Sequence, residues 1–116
     1  MTFNKNYLFI SLIAVFSFSI NFHYANIGVM PNDNFVLYNG GYRVLNSYVP
    51  FNDYWLVTGP LLDYLNALFF LINGISWESY IIHSSLFNSL IALSTYFLLI
   101  QLKLNNNLSL FYSILF

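Results

Sequence analysis

Long apolar segments with almost no charge constrain the fold of this chain more than any other feature. They cover about residues 7–27, 56–73 and 80–102, and a fourth apolar run covers 108–116. A helix rises about 1.5 Å per residue, so about 20 apolar residues cross the roughly 30 Å hydrocarbon core of a bilayer. The pattern therefore predicts an all-α, polytopic transmembrane protein.

Charged residues are too few for a soluble domain of this size. Only 6% of the 116 residues are charged and 59% are hydrophobic, whereas a soluble domain carries about 25% charged residues. Because a small globule must cover its surface with polar groups, this composition favours a lipid environment. The net charge of −1 and the lack of a basic stripe exclude nucleic acid as a partner.

The most polar part of the chain is the loop at about residues 28–58, between the first and second predicted membrane helices. Its apolar side chains recur at spacings of three and four, which predicts an amphipathic helix in the membrane interface, ended before Pro50. A Gly40-Gly41 pair leaves open a kink or two shorter helices. The apolar face comprises Phe35, Tyr38, Tyr42, Leu45 and Val49, and the opposite side carries Asn39, Arg43 and Asn46.

Local signals mark the ends and the contact faces of the later helices. Thr58 is predicted to cap the second membrane helix, with Pro60 in its first turn. Asn73-Gly74 is typical of a helix stop followed by a turn. A stripe of small residues in the third membrane helix predicts close approach of another helix. The stripe consists of Ser85, Ser89 and Ala92.

Each acidic residue of the loop has a structural and a chemical interpretation. Asp33 fits an N-cap of the interfacial helix, or a general base or metal-linked carboxylate at the membrane surface. Asp53 fits a turn-forming Asx residue, or a second carboxylate that meets Asp33 and shares a divalent cation with it.

The other ionisable residues have simpler interpretations. Asp63 and Glu78 lie in first helical turns, where the helix dipole stabilises a negative charge without any further role. Arg43 is either a solvated side chain or a ligand for a lipid phosphate. His23 and His83 have no Cys, His or Glu at metal-ligand spacing in the sequence and are interpreted as structural.

Three segments, in this order, resemble a known family. Asp33 to Tyr38 is similar to an Asp-x4-Tyr opening of a first external loop, and VPFNDYW at 49–55 is similar to a PYxDxW segment. GPLLDYLNALFFLING at 59–74 is similar to a GPL…ALFxLFG second helix. The chain thus resembles the GT-C glycosyltransferases of the dolichyl-phosphate-mannose protein mannosyltransferase-like group, also called ArnT-like or glycosyltransferase family 39-like.

The resemblance implies a multi-pass enzyme that moves a sugar from a polyprenyl-phosphate-linked donor to a lipid, polysaccharide or protein. It assigns the catalytic carboxylates to Asp33 and Asp53, with a divalent cation left open. Arg43 and Tyr38 are the candidate substrate-binding residues. Asn34 follows Asp33 where the better-known branch has Glu, which favours bacterial members that modify lipids or surface polysaccharides. Membrane lipid is a further expected partner.

The fourth apolar run starts near the end of the sequence. We therefore expect residues 1–116 to be the N-terminal part of one multi-pass membrane domain, inactive without the remaining membrane helices. The alternative function is a non-catalytic membrane subunit or a transporter component. A transporter is expected to hold its acidic residues at mid-bilayer depth, whereas Asp33 and Asp53 lie in a loop.

Topology follows from the basic residues and from the resemblance. Lys5 favours a cytoplasmic N-terminus, in a bacterial inner membrane. By alternation the loop 28–58 is then outside, although this also places Arg43 and Lys103 outside. The resemblance supports the external loop.

A single cysteine tests this topology, because the chain contains no cysteine of its own. We expect a membrane-impermeant maleimide to label the Asn46→Cys variant in intact cells. Labelling that requires cell lysis would place the loop in the cytoplasm instead.

Overall fold

The computed structural model describes residues 5–28, 31–56 and 58–115, which form helices and contain no β-strand. This confirms the all-α class. The predicted membrane segments at 7–27 and 80–102, the described part of the segment at 108–116 and the predicted interfacial helix each coincide with a helix. The interfacial helix ends at Leu45, earlier than the predicted end before Pro50. The helices are α1 (Lys5–Ile27), α2 (Pro31–Leu45), α3 (Leu61–Asn73), α4 (Trp77–Gln101) and α5 (Asn106–Leu115).

Two of these helices, α1 and α4, are long and apolar enough to cross a membrane. In their most apolar windows only 11% and 33% of the residues are buried, so most of their apolar surface is not covered by the described protein. By contrast, α3 has 13 residues, a length of about 20 Å. It starts at Leu61 instead of near residue 56, so this helix alone is shorter than the predicted second span.

The chain divides into two compact units. The first combines the residues up to Tyr24 with those from Ser84 onward, and the second comprises Ala25–His83. In the first unit, Ile13 of α1 is buried with Ala92 and Tyr96 of α4. The core of this unit therefore forms where the two long helices meet.

Small polar residues hold these two helices together. Asn21 Oδ1 accepts hydrogen bonds from the hydroxyls of Ser84 (3.2 Å) and Ser85 (3.1 Å). One turn further along α4, the Ser89 hydroxyl donates to the carbonyl of Ala14 at 3.1 Å. Ser85, Ser89 and Ala92 are all buried, which confirms the close helix contact predicted from this stripe.

In the second unit, α2 packs against α3 through glycines. A Cβ atom on Gly41 would lie 2.6 Å from Asn66 Cβ and 3.1 Å from the Ala67 backbone nitrogen. A Cβ atom on Gly40 would collide with the Asp63 carboxylate. The glycine pair thus serves close packing within one continuous helix, and the kink or break that the sequence left open does not occur.

The buried face of α2 differs from the predicted one. Gly40 and Gly41 are buried, whereas Phe35 and Tyr42 of the predicted apolar face remain 52% and 45% exposed. Hydrophobic periodicity gives no weight to glycine, yet glycine allows the closest approach of a neighbouring helix. The contact face therefore follows the glycines.

Both ends of α3 can be compared with the sequence prediction. Gly74 ends the helix at φ 84°, and its N–H donates to the Phe70 carbonyl at 2.9 Å. This confirms the predicted stop, since a positive φ suits glycine. At the other end, Pro60 occupies the cap position without a side-chain hydrogen bond. The predicted Thr58 cap is therefore wrong, because the helix begins one residue after the proline.

Replacing Gly41 by alanine tests the contact between α2 and α3. Overpacking costs about 1–3 kcal/mol, while alanine gains about 1 kcal/mol over glycine in a helix. We expect a net loss, because the added atom meets a Cβ and a backbone nitrogen that cannot rotate away. The measurement is the thermal midpoint in detergent. Gly28→Ala is the control, since no atom lies within 4 Å of the added Cβ; equal midpoints for both variants would contradict the proposed contact.

Candidate functional site

The polar side chains of the second unit gather where α2 ends and α3 begins. Between these helices, residues 46–56 form a tight loop. The N–H of Phe51 donates to the Tyr54 carbonyl at 2.9 Å, and the N–H of Asp53 donates to the Val49 carbonyl at 2.9 Å. These bonds close the loop and aim Tyr54 back toward α2 and α3.

Asp53 stabilises this loop with both of its carboxylate oxygens. Oδ2 accepts a hydrogen bond from the N–H of Val49 at 2.7 Å, and Oδ1 accepts one from the Asn52 amide at 2.7 Å. Asp53 therefore has the turn-forming role that the sequence offered as one alternative. Its proposed catalytic role stays a prediction.

Two non-glycine residues of the loop adopt a left-handed backbone. Ser47 has φ 66° and Phe51 has φ 67°. A bulky residue at positive φ is unusual, and such conformations cost on the order of 1–3 kcal/mol and persist only where the surroundings enforce them. The hydrogen bonds of Asp53 and Tyr54 supply that enforcement for Phe51.

Tyr54 connects the loop to α3 through a buried carboxylate. Its hydroxyl donates to Asp63 Oδ2 at 2.7 Å. Asp63 is fully buried, and its Oδ1 has no hydrogen-bond partner among the described residues. Gly40 makes this burial possible, because its missing side chain leaves room for the carboxylate.

Arg43 of α2 covers the ring of Tyr54. Its guanidinium carbon lies 4.9 Å from the ring centroid, within the range of a cation–π contact. No ion pair to Arg43 within 4.0 Å is found in the described part of the chain, although Asp53 lines a cavity with Arg43 and Asp63 interacts with it electrostatically. The guanidinium therefore keeps hydrogen-bond donors available for another group.

Two cavities flank Arg43, and Asn39 lines both. One, of about 190 Å³, extends along α2 and the end of the loop. The other, of about 300 Å³, includes Asp53. Cation and carboxylate thus share a cavity. The first is lined by Val36, Asn39, Gly40, Arg43, Tyr54, Trp55 and Leu56; the second is lined by Asn39, Tyr42, Arg43, Tyr48 and Asp53.

Burial changes the acidity of the Tyr54–Asp63 pair. Burial raises the pKa of Asp63 above its ordinary value of 3.8, and the Tyr54 hydrogen bond and Arg43 oppose that shift. The pKa of Tyr54 is also raised, first by burial and then by Asp63. Both shifts favour the neutral, protonated forms of the two side chains.

The geometry around Asp63 agrees with a neutral acid. Asn66 lies one turn further along the same face of α3, and its Oδ1 is also buried with no partner among the described residues. The Asn66 amide nitrogen already donates to the Leu37 carbonyl at 3.2 Å. An ionised Asp63 would place negative charge on a buried oxygen without a donor among the described residues, whereas protonation removes that charge.

The structure separates the remaining predicted site residues from this cluster. Asp33 is exposed in the first turn of α2, so it is not the residue that precedes the helix as an N-cap. Tyr38 packs against Phe70, with ring centroids 4.9 Å apart, and near Trp77 and Tyr80. Neither Asp33 nor Tyr38 lines the two cavities beside Arg43.

The other ionisable residues lie outside the cluster as well. Glu78 is exposed in the first turn of α4, as its dipole interpretation requires. His83 is buried, with its ring 5.0 Å from that of Phe69. Within the described residues, no group of three or more His, Cys, Asp or Glu side chains is arranged to hold a metal ion.

Comparison of the chain with protein families, with curated proteins and with solved structures finds no match. The function therefore has to be argued from the residues themselves. Sequence reasoning missed the role of Asp63, because it explained this acid only by a favourable interaction with the helix dipole. Its signal was the combination of an acid in an apolar helix with a glycine pair in the polar segment that precedes that helix.

The pKa of Asp63 gives a testable pH dependence. Because the folded protein holds this proton to a higher pH than the unfolded chain, the free energy of unfolding falls as pH rises above 3.8. Asp63→Asn should flatten this part of the profile, since an amide does not titrate but still offers an oxygen to Tyr54. Thermal melts in detergent between about pH 4 and about pH 8 measure it. An unchanged pH profile would show that Asp63 is not the group responsible.

Proposed function

We propose that this chain forms part of a membrane glycosyltransferase of the GT-C type, which uses a polyprenyl-phosphate-linked sugar as donor. In this proposal α1 and α4 cross a bacterial inner membrane with the N-terminus in the cytoplasm, and the segment 28–58 lies at the outer surface. The family resemblance supports the reaction, and the apolar surfaces of α1 and α4 support the location.

The observation that carries the proposal is the placement of Arg43. It is the only arginine in the chain, it lines two cavities, and it forms no ion pair with the described residues. A guanidinium matches the geometry of a phosphate and binds it through two parallel hydrogen bonds. This side chain therefore suits the phosphate group of a lipid-linked donor.

Asp33 lies on the same face of α2 as Arg43. Val36 and Gly40, which line the cavity with Arg43, follow Asp33 at spacings of three and seven residues, which keeps them on one helical face. A ligand with its phosphate at Arg43 and its sugar extending toward Val36 would point its reacting carbon toward Asp33.

Helix geometry sets the separation that one ligand would have to span between these two side chains. The ten residues from Asp33 to Arg43 correspond to about 15 Å along the helix. In a reacting complex three distances are each about 3 Å. They join the guanidinium to the phosphate, the reacting carbon to the attacking oxygen, and that oxygen to the base. The guanidinium and the base then lie roughly 10 Å apart, a separation that the two side chains can bridge.

The chemistry follows from these positions. The acceptor hydroxyl oxygen attacks the anomeric carbon of the donor sugar, and the bond between that carbon and the phosphate oxygen breaks. Asp33 takes the hydroxyl proton, while Arg43 stabilises the polyprenyl phosphate that leaves with the bonding electrons. Because Asp33 is exposed, it can release the proton to water. Asp53 holds the loop that borders Arg43, and Tyr38 positions α2 through the aromatic cluster.

The Asp33→Asn variant tests the function and the assignment of the base. The protein, expressed from its complete reading frame, is assayed in membranes for transfer of a radiolabelled sugar from a polyprenyl-phosphate donor. General-base help is worth about 10²–10⁴ in rate, so turnover should fall by at least about 10². Its thermal midpoint should change little, because a first-turn acid contributes less than about 1 kcal/mol at an exposed site.

Glu78→Gln is the matched control, since it makes the same chemical change at an exposed first-turn acid of α4. It should retain nearly full turnover. An equal loss in both variants, or normal transfer by Asp33→Asn, would show that the base is assigned wrongly. Absence of any transfer by the unmodified protein would contradict the glycosyltransferase itself.

A further inference from the structure

We infer that Asp63 and Tyr54 are positioning residues that fix the Arg43 guanidinium for the phosphate of an isoprenoid lipid. The inference rests on the proposed function for the identity of the ligand. It adds a role for two side chains that the family resemblance does not assign, and it explains why an acid is buried beside the cavity.

Tyr54 is held from two directions. Its hydroxyl is tied to Asp63 of α3 at 2.7 Å, and its ring is covered by Arg43 of α2 at 4.9 Å. Asp63 itself has little freedom to move, because it is fully buried and lies directly against Gly40. The orientation of the Tyr54 ring is therefore fixed by the packing of two helices, although the ring belongs to a loop.

A fixed ring matters because arginine has a long and flexible side chain. Ordering such a side chain when a ligand binds costs about 0.5–1.5 kcal/mol, which corresponds to about two- to tenfold in affinity. An aromatic face provides a flat surface on which a guanidinium stacks and leaves the N–H donors at its edge available. Tyr54 can thus order Arg43 before the ligand arrives.

The arrangement also keeps Arg43 available for an anion. Asp63 directs its Oδ2 to the Tyr54 hydroxyl, and both oxygens of Asp53 are engaged within the loop. Neither carboxylate forms an ion pair with the guanidinium among the described residues. The carboxylates therefore hold the surroundings of Arg43 in place without occupying its donors.

Binding of a short isoprenoid phosphate measures the effect independently of catalysis. The protein from its complete reading frame, in detergent micelles, is titrated with farnesyl monophosphate, with farnesol and with inorganic phosphate. The ratio of the farnesyl monophosphate and farnesol affinities isolates the contribution of the phosphate group. A general loss of structure would weaken both lipids alike and leave this ratio unchanged.

Tyr54→Phe retains the ring and removes the hydroxyl that holds it. We expect this variant to weaken farnesyl monophosphate binding about two- to tenfold, with farnesol binding unchanged. Tyr112→Phe, the same change at an exposed tyrosine of α5, should leave both affinities as they are. Asp63→Leu should act like Tyr54→Phe, whereas Asp63→Asn should restore the phosphate preference, because its amide oxygen still accepts the Tyr54 hydrogen bond.

A double-mutant cycle decides whether Tyr54 acts through Arg43. In an Arg43→Gln background, Tyr54→Phe should have no further effect on the affinity ratio. Independent, additive losses would overturn the inference, as would equal affinities for farnesyl monophosphate and farnesol in the unmodified protein. Binding of inorganic phosphate as tight as that of farnesyl monophosphate would overturn the lipid assignment. Coupling in this cycle without sugar transfer would refute the proposed function and support the positioning pair.

Discussion

The close approach of α2 to α3 at Gly40 and Gly41 is the contact on which the rest of the second unit depends. Without side chains at these positions, Asn66 reaches the backbone of α2, where it donates to the Leu37 carbonyl at 3.2 Å. The same approach buries Asp63 against Gly40. Close packing and hydrogen bonding thus act together here, as they do between helices whose apolar surfaces gain little from contact with each other.

In the first unit, serine side chains provide the hydrogen bonds between the two packed helices. A chain that is 59% hydrophobic offers many equivalent apolar surfaces, so apolar burial alone specifies a helix pairing poorly. Asn21 accepts hydrogen bonds from the hydroxyls of two consecutive serines, and the Ser89 hydroxyl donates one to a carbonyl of α1 at 3.1 Å. The Ser89 hydroxyl also has an acceptor in its own helix, the Ser85 carbonyl at 3.0 Å. The two bonds to Asn21 need one register of the two helices, so they favour one pairing among many.

The sequence predicted the helices better than their contacts. Apolar runs and the Asn73-Gly74 stop located α1, α4 and the end of α3, because these signals depend on local composition and backbone preference. The stripe around Ser85 also predicted a contact correctly. The contact face of α2 was missed for a physical reason: periodicity counts hydrophobic side chains, while the face that packs closest consists of residues without any.

The site shows the same division between local and long-range signals. Arg43 and Asp53 could be chosen from residue type and position in the loop, and Asp53 does share a cavity with Arg43. The role of Asp63 could not be predicted, because it depends on Gly40, more than twenty residues earlier in the sequence, and on a loop that returns Tyr54 to the same place. Such contacts are set by tertiary packing, and a single sequence contains no local pattern for them.

Electrostatics then explain why a buried acid and an arginine occur so close together without pairing. A buried ion pair between Arg43 and Asp63 would gain little, since the desolvation of two charges offsets much of their attraction. A neutral Asp63, which its burial favours, avoids that cost and still accepts the Tyr54 hydroxyl. Arg43 forms no ion pair with the described residues and keeps its charge at the end of α2, beside the cavity that it shares with Asp53. The cavity of about 190 Å³, lined by this guanidinium, the Tyr54 ring, Asn39 and apolar side chains, suits the lipid-linked phosphate of the proposed donor.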